Sequence, residues 1–389
     1  MCSSDLIWIN GEMTAARNPS VHWSSETLSR TRPDDGDDMT TALAPRTESF
    51  EQTLANANLQ PLWDRYDRLL TPEPQVPDSA MLWRWREMLP FIDRAAGEIP
   101  MDRSERRVLM LTHPAFEGKP FATTNLFAGL QILNPGERAP VHRHSASAMR
   151  FVLEGEGAAT VVDGQHCDML PGDLILTPNW CWHEHRNDSS RRCVWLDALD
   201  LPLCASMGTI FSERGQLSPE RNALWHIDDA AFSNAGLLPD SQAERNAYSP
   251  MFRYPWTRTV AALQQAPEMA DGSRRVRYVD PTTGQPAIPT LDCYVWQLPA
   301  GKPTLGARSS ANAVFAVVEG EGTSEIGGRN FKWQKNDVFT VPHWTWASHK
   351  ASADARLFYF TDREVLRRLN WLREETRDRK STRLNSSHT

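Results

Sequence analysis

The stretch "PVHRHSASAMRFVLEGEG", Pro140–Gly157, sets two histidines one residue apart just before an apolar run. A later stretch, "LGARSSANAVFAVVEGEG", Leu305–Gly322, closes on nearly the same residues but holds no histidine. The surroundings repeat too. Pro135-Gly136 matches Ala300-Gly301, and Asp163-Gly164 matches Gly327-Gly328 after a one-residue deletion. "GDLILTPNWCWHEH" (Gly172–His185) matches "NDVFTVPHWTWASH" (Asn336–His349), which puts Trp180 and Trp182 on Trp344 and Trp346. Chance supplies an isolated "EGEG" pair but not this ordered set, so a whole domain has been duplicated.

Each copy reads as short apolar runs broken by Gly, Pro and Asp-Gly, such as "NLFAGLQILNPGE" and "RCVWLDALDLP". Such punctuation belongs to antiparallel strands in a sandwich or barrel, so the fold class is all-β. Asp163-Gly164 marks a tight hairpin, whose primed turn needs residues that accept positive φ. Apolar spacing of three and four residues from Ser49 to about Leu59, and again around Trp83–Ala96, predicts a mostly helical N-terminal arm. "LWRWREML" (Leu82–Leu89) reads as a packing helix. "REVLRRLNWLREE", from Arg363, reads as a short amphipathic helix. The expected organisation is a non-native or disordered extension over 1–38, the arm over 39–105 and a first β domain over 106–205. A linker follows over 206–275, then a second β domain over 276–362 and a helix and tail over 363–389.

Composition narrows the function. The net charge of -7 offers no basic footprint for nucleic acid. No apolar run approaches the roughly 20 residues of a membrane helix. The N-terminus lacks a secretory signal pattern, and the six cysteines form no C-x-x-C pair. Reduced thiols in a cytoplasmic protein are expected. Cys181 is read as a buried small apolar residue.

In the repeat alignment His142 falls on Ala307, His144 on Ser309 and His183 on Ala347, while His185 keeps a partner in His349. The three positions that vary together are three that can hold one metal ion. Alternate residues of a strand share a face, so His142 and His144 look one way, and so do His183 and His185. An isolated H-x-H is more often ordinary core or surface histidine. Here it stands beside a third histidine, and the second copy has lost the set as a unit.

Gly136 followed six residues on by His142-x-His144 resembles the first signature of the cupin family. Pro178, His183 and Asn187 resemble the second, and that spacing selects His183 over His185 as the third ligand. Two departures stand out. Trp180 takes the place of a usual glycine, and Ala148, Met149 and Arg150 occupy the region where many cupins carry a glutamate ligand. Three neutral imidazoles leave a divalent ion its full charge, which favours a bidentate dianionic ligand such as an aromatic acid with an ortho-phenolate. Imidazoles alone do not choose among Zn, Fe, Ni and Cu.

Over roughly Leu59–Asn370 the chain resembles the gentisate 1,2-dioxygenase family of bicupins, which includes salicylate and 1-hydroxy-2-naphthoate dioxygenases. The resemblance rests on "ERRVLML", "FAGLQILNPGERAPVHRHSASAMRFVLEGEG", "PGDLILTPNWCWHEHRND" and "WLDALDLP". It implies two jelly-roll barrels, the first active and the second metal-free, in a homotetramer. It implies Fe(II) on His142, His144 and His183, chelated by the carboxylate and ortho-hydroxyl of a small aromatic acid beside O2. The ring then opens between the carbons bearing those groups, giving maleylpyruvate from gentisate. Arg150 would pair with the substrate carboxylate through its fork of donors. Arg106, Gln131 and Asp197 match other substrate-pocket residues. His185 would hydrogen-bond an oxygen or shuttle a proton, although His349 in the second copy also fits a structural role. Phe127 stands where the family often has a different aromatic. Two other classes remain open at this stage, a metal-dependent non-oxidative cupin such as an isomerase and a non-catalytic binding bicupin.

Overall fold

The computed structural model describes residues 49–215, 229–232, 237, 248–377 and 385–387. The extension over 1–38 and most of the 206–247 stretch lie outside the described residues. The chain divides into two units, 1–69 and 70–389. In the first, Phe50–Asn56 is helical, capped by Ser49, whose hydroxyl accepts from the Gln52 amide at 3.2 Å. Tyr66–Leu69 adds one further helical turn.

The second unit holds the duplicated β structure. Its strands, in order, are β1 (Leu82–Trp83), β2 (Val108–Met110), β3 (Phe127–Leu133), β4 (Arg138–His144), β5 (Ala148–Glu154) and β6 (Ala158–Val162). Next come β7 (Gln165–Met169), β8 (Leu174–Thr177), β9 (His183–Asn187), β10 (Cys193–Leu199), β11 (Ser212–Arg214) and β12 (Arg253–Tyr254). The second copy follows with β13 (Arg274–Arg277), β14 (Asp292–Leu298), β15 (Gly306–Ser309), β16 (Ala313–Glu319), β17 (Glu321–Ile326) and β18 (Arg329–Gln334). It closes with β19 (Val338–Val341), β20 (Ala347–Ala351), β21 (Ala355–Thr361), β22 (Glu374–Arg377) and β23 (Asn385–Ser387).

The first copy builds the sheets β12-β8-β5-β10-β3-β2 and β11-β4-β9-β6-β7. The second builds β1-β19-β16-β21-β14-β13 and β18-β17-β20-β15-β22-β23. The shared order β8-β5-β10-β3 and β19-β16-β21-β14 is the duplication seen as topology. Both hairpins carry their expected turns, with positive φ at Asp163 and Gly164 and at Gly327 and Gly328. The repeated "EGEG" has a steric cause. Gly155 and Gly320 both take positive φ, and a Cβ there would run into the Arg192 carbonyl and, at 2.7 Å, the Asp354 carbonyl.

Strand alternation sorts the side chains into separate layers. On β21 Leu357 and Tyr359 join a core inside the second copy, while Phe358 and Phe360 join a larger core shared with the first. Phe151 of β5 meets Phe358 across that boundary, stacked with ring centroids 4.1 Å apart.

Two segments differ from their sequence reading. "LWRWREML" is not all helix. Leu82–Trp83 pairs with β19 of the second copy, and the helix begins at Trp85 and runs to Glu98. The Asp337 carboxylate accepts the Trp85 amide at 2.7 Å, which fixes the break. At the other end the helix covers only Arg363–Arg368, because Asn370 takes a left-handed turn at φ 60°. Glu374 and Glu375 then lie on β22, bonded to Arg363 and Arg308. Three residues of the expected C-terminal tail, Asn385–Ser387, pair with β22.

Candidate active site

The site is built on β4 and β9. Their register sets His142 directly opposite His183, with ring centroids 4.1 Å apart. His144, two residues along the same face, lies 5.1 Å from His142 and 4.9 Å from His183. One ligand nitrogen of each falls within 4.8 Å of the others. The imidazole of His144 is 2.6 Å from the Ala146 carbonyl through Nδ1, and that of His183 is 2.9 Å from the Cys181 carbonyl. A carbonyl only accepts, so both rings carry their proton on Nδ1 and turn an Nε2 lone pair toward the cluster. The His183 Nε2 is fully buried and has no partner among the described residues. An acceptor left that way is costly unless something fills the position, and a cation suits it. Burial first, and Arg106 second, push His142 down to about 2. Burial likewise takes His144 to about 4 and holds His183 well below its ordinary value. All three are neutral donors at pH 7, the state a metal requires.

Arg150 reaches the same interior from β5. Its register partner on β10 is Asp197, and the two side chains form a buried ion pair at 3.5 Å. Arg150 also donates to the Thr177 hydroxyl on β8, and Trp195 Nε1 donates to Asp197 at 2.9 Å. Burial raises the Asp197 carboxyl and Arg150 opposes that shift. Asp197 therefore has the partner its apolar strand demands. Arg106 donates to the Pro140 carbonyl and contacts His142 Nδ1, and burial with Arg150 nearby holds its guanidinium down to about 10. Two guanidinium groups thus serve the neighbourhood of three neutral imidazoles, a field for an anion. Gln131 of β3, opposite Trp195, is buried, and its side-chain amide nitrogen has no partner among the described residues. Phe127 and Gly129 share its face, and a Cβ on Gly129 would meet Val108 at 2.7 Å and the Phe127 ring at 3.1 Å.

His185 stands apart from the cluster. Its ring centroid is 5.9 Å from that of His183, Nδ1 lies 2.9 Å from the Thr160 hydroxyl, and Nε2 is buried without a partner among the described residues. Cys181 is buried, with its thiol pushed up by desolvation and bonded to the Tyr248 hydroxyl at 3.2 Å. Trp180 has φ 64°, which explains why glycine is usual there, and Trp344 repeats it at 52°. Arg143 lies 4.9 Å over Trp180 and 4.6 Å over Trp182, as Arg308 lies 4.2 Å and 5.1 Å over Trp344 and Trp346. These stacks help offset the backbone cost.

The second copy keeps this frame and removes the polar interior. Ala307 pairs with Ala347 where His142 pairs with His183. Phe315 faces Tyr359 in register, rings 4.7 Å apart, where Arg150 faces Asp197. Val341 stands at the Thr177 position beside Ala313. The part of Thr177 was missed in the sequence, although its replacement by valine in the second copy was a signal. Also missed was Glu137, whose carboxylate binds Arg107 at 2.7 and 2.8 Å beneath the turn that leads into β4.

A family model described as Cupin domain matches residues 129–199. Gentisate 1,2 dioxygenase 1 of Aquipseudomonas alcaligenes is 36% identical, over 86% of this chain and 97% of its own length. The 5-aminosalicylate 1,2-dioxygenase of a Comamonas species is 33% identical, over 84% of this chain and 90% of its own. Among solved structures, salicylate 1,2-dioxygenase from Pseudoaminobacter salicylatoxidans with gentisate superposes at a TM-score of 0.80. It is 33% identical and is covered over 88% of this chain and 98% of its own.

Proposed function

The chain belongs to the gentisate 1,2-dioxygenase family of cupin ring-cleaving enzymes, and from that premise we propose that it is Fe(II)-dependent and opens gentisate to maleylpyruvate. Salicylate and 1-hydroxy-2-naphthoate are the alternative substrates. The observation that carries the reading is the buried, unpartnered lone pair of His183, converging with His142 and His144 beside Arg150. The first copy, over 106–205, is the active cupin and the second, over 276–362, is metal-free. The family resemblance also proposes a cytoplasmic homotetramer, which sedimentation of the purified protein tests.

Ferrous iron on His142, His144 and His183 supplies Lewis acidity and one-electron chemistry toward O2. The chain's own residues do the rest. Three neutral imidazoles add no negative charge, so a carboxylate with an adjacent phenolate is the ligand they favour. Arg150 receives the carboxylate through two parallel donors, with Asp197 and Thr177 fixing the plane of its guanidinium. Arg106 adds positive charge on the His142 side. His185, neutral because burial holds its imidazole well below the ordinary range, donates from Nδ1 to the Thr160 hydroxyl, which itself donates to the Met169 sulfur, and accepts a hydrogen bond or a proton at Nε2. In the balanced reaction the bond between the carboxyl-bearing and hydroxyl-bearing ring carbons breaks, and both atoms of O2 enter the product. Among the described residues no carboxylate joins the three histidines, which disfavours the isomerase reading.

The test loads the protein with Fe(II) without air and follows O2 consumption with gentisate, salicylate and 1-hydroxy-2-naphthoate. Labelled O2 should place two heavy atoms in a ring-opened product. Iron-loaded protein that consumes no O2 with any of the three acids overturns the proposal.

A further inference from the structure

Losing the histidines did not fill the second copy. A cavity of about 490 Å³ lies there, lined by Ala307, Ser309 and Ala347 at the positions of the three first-copy histidines. Its walls include Tyr294, Trp296, Phe315 and Tyr359. A core kept only for packing closes such a space, since voids forfeit contacts and destabilise.

Among the polar groups that line this cavity, Arg275 and His349 stand against its aromatic walls. Arg275 on β13 lies 5.5 Å and 5.9 Å from the ring centroids of Tyr294 and Trp296, and its Nη1 donates to the Tyr359 hydroxyl at 3.2 Å. The lining carboxylates are engaged elsewhere: Glu374 with Arg363, Glu375 with Arg308, and Asp271 with the amide and hydroxyl of Ser273. The second group is His349, 4% exposed. Trp333 Nε1 donates to the Ser324 hydroxyl at 2.8 Å, and that hydroxyl is 2.7 Å from His349 Nδ1. When the serine proton goes to Nδ1, the imidazole proton stands on Nε2, for which no acceptor is found among the described residues. A guanidinium over aromatic rings, a free N–H and flat apolar walls define one ligand chemistry.

We propose that the second copy is a separate, non-catalytic binding site for a small aromatic monocarboxylate, its carboxylate on Arg275 and the His349 Nε2 proton, its ring against Trp296 and Phe315. The guanidinium has moved between copies. The first copy supplies it from β5 as Arg150. The second has Phe315 there and supplies it from β13, where the register equivalent in the first copy is Val108, since Val108 faces Gln131 as Arg275 faces Trp296. The inference does not depend on the reaction proposed for the first copy.

The probe is 4-fluorobenzoate, which has no ortho-hydroxyl, followed by fluorine NMR on the full-length metal-free protein. Binding is expected in the wild type and in the first-copy variant R150F/D197Y/T177V. Arg275→Gln should weaken that second-copy binding about tenfold or more, Arg275→Lys should restore part of it, and Ala347→Phe should abolish it by filling the cavity. Near-UV circular dichroism identifies any variant that has lost its packing, and the pair Arg275→Lys and Ala347→Phe then decides. Iron-dependent O2 uptake by Arg275→Gln should match the wild type. No binding at about 10 mM probe, binding lost in the first-copy variant, or binding indifferent to both Arg275→Gln and Ala347→Phe overturns the proposal.

Discussion

Arg150, Asp197 and Thr177 form a buried polar triad that the protein itself has replaced once, by Phe315, Tyr359 and Val341. This natural substitution allows a quantitative test. Arg150→Ala leaves the Asp197 carboxylate, 6% exposed in its side chain, without its ion-pair partner in a low-dielectric interior. Stranding one partner of a buried pair costs about 3–5 kcal/mol. Replacing the whole group is a different perturbation. R150F/D197Y/T177V removes both desolvation penalties together and installs the stacked pair seen in the second copy. Such exchanges are neutral or stabilising by about 1–4 kcal/mol. The assay is urea unfolding of the metal-free protein, so that ion binding does not enter the equilibrium. With a slope of about 3 kcal/mol per M, the single variant should lose about 1 M or more in midpoint. The triple variant should unfold at or above the wild-type midpoint. Neither should turn over gentisate once loaded with Fe(II). A triple variant as unstable as Arg150→Ala refutes the reasoning, because the penalty would then belong to lost packing rather than to a stranded ion.

His185→Gln should bind iron at wild-type stoichiometry while kcat falls by about a hundredfold, because the residue sits outside the ligand cluster; loss of iron in this variant would make it a ligand. Trp180→Gly should be more stable than Trp180→Ala by about 1 kcal/mol, since both lose the stack on Arg143 but only alanine keeps the cost of positive φ. Equal midpoints would remove strain as the explanation. Burial opposes ionisation of Glu364, yet hydrogen bonds from Arg367 and Arg368 outweigh it and hold the carboxyl at about 2. Its contribution, on the order of 3 kcal/mol, is complete above the unfolded value of about 4.5 and fades as the pH falls toward 2. Glu364→Gln should thus be markedly less stable at pH 7 and nearly equal to wild type near pH 2; a gap independent of pH counts against the ion pairs.

What the sequence disclosed depended on whether a residue's role was local or paired. The hairpins at Asp163-Gly164 and Gly327-Gly328 were legible because positive φ is a property of two adjacent residues. The histidine cluster was legible because strand parity places His142 and His144 on one face, and the second copy marked which histidines went together. Thr177 was hidden, because a threonine in "LILT" looks like ordinary strand filler and its bond to Arg150 crosses between strands. Leu82–Trp83 was hidden for the same reason, since its partner, β19, lies far along the chain. Arg275 fell just outside the expected second domain, and "RRVR" reads as a solvated charge run until β14 places one arginine among aromatic rings.

The retained second copy follows from the same alternation that builds the site. On β5 the odd residues Met149, Phe151 and Leu153 point away from Arg150, so the strand that carries that arginine has an apolar back. That back is covered by Val295, Ala316, Phe358 and Phe360 of the second copy, which share its core. Exposed, Met149, Phe151 and Leu153 would each give up about 2 kcal/mol of burial, about 6 kcal/mol in all. A natural domain has only about 5–15 kcal/mol of net stability. A first copy alone would therefore expose the wall behind Arg150 and lose a large part of its margin. Mutations inside the second copy's own interior leave that wall intact, because Phe315 and Tyr359 point the other way. Sheet parity thus separates two roles on each strand: β16 and β21 are apolar on the shared face, while their inner face carries Phe315 and Tyr359 where the first copy has the Arg150–Asp197 pair.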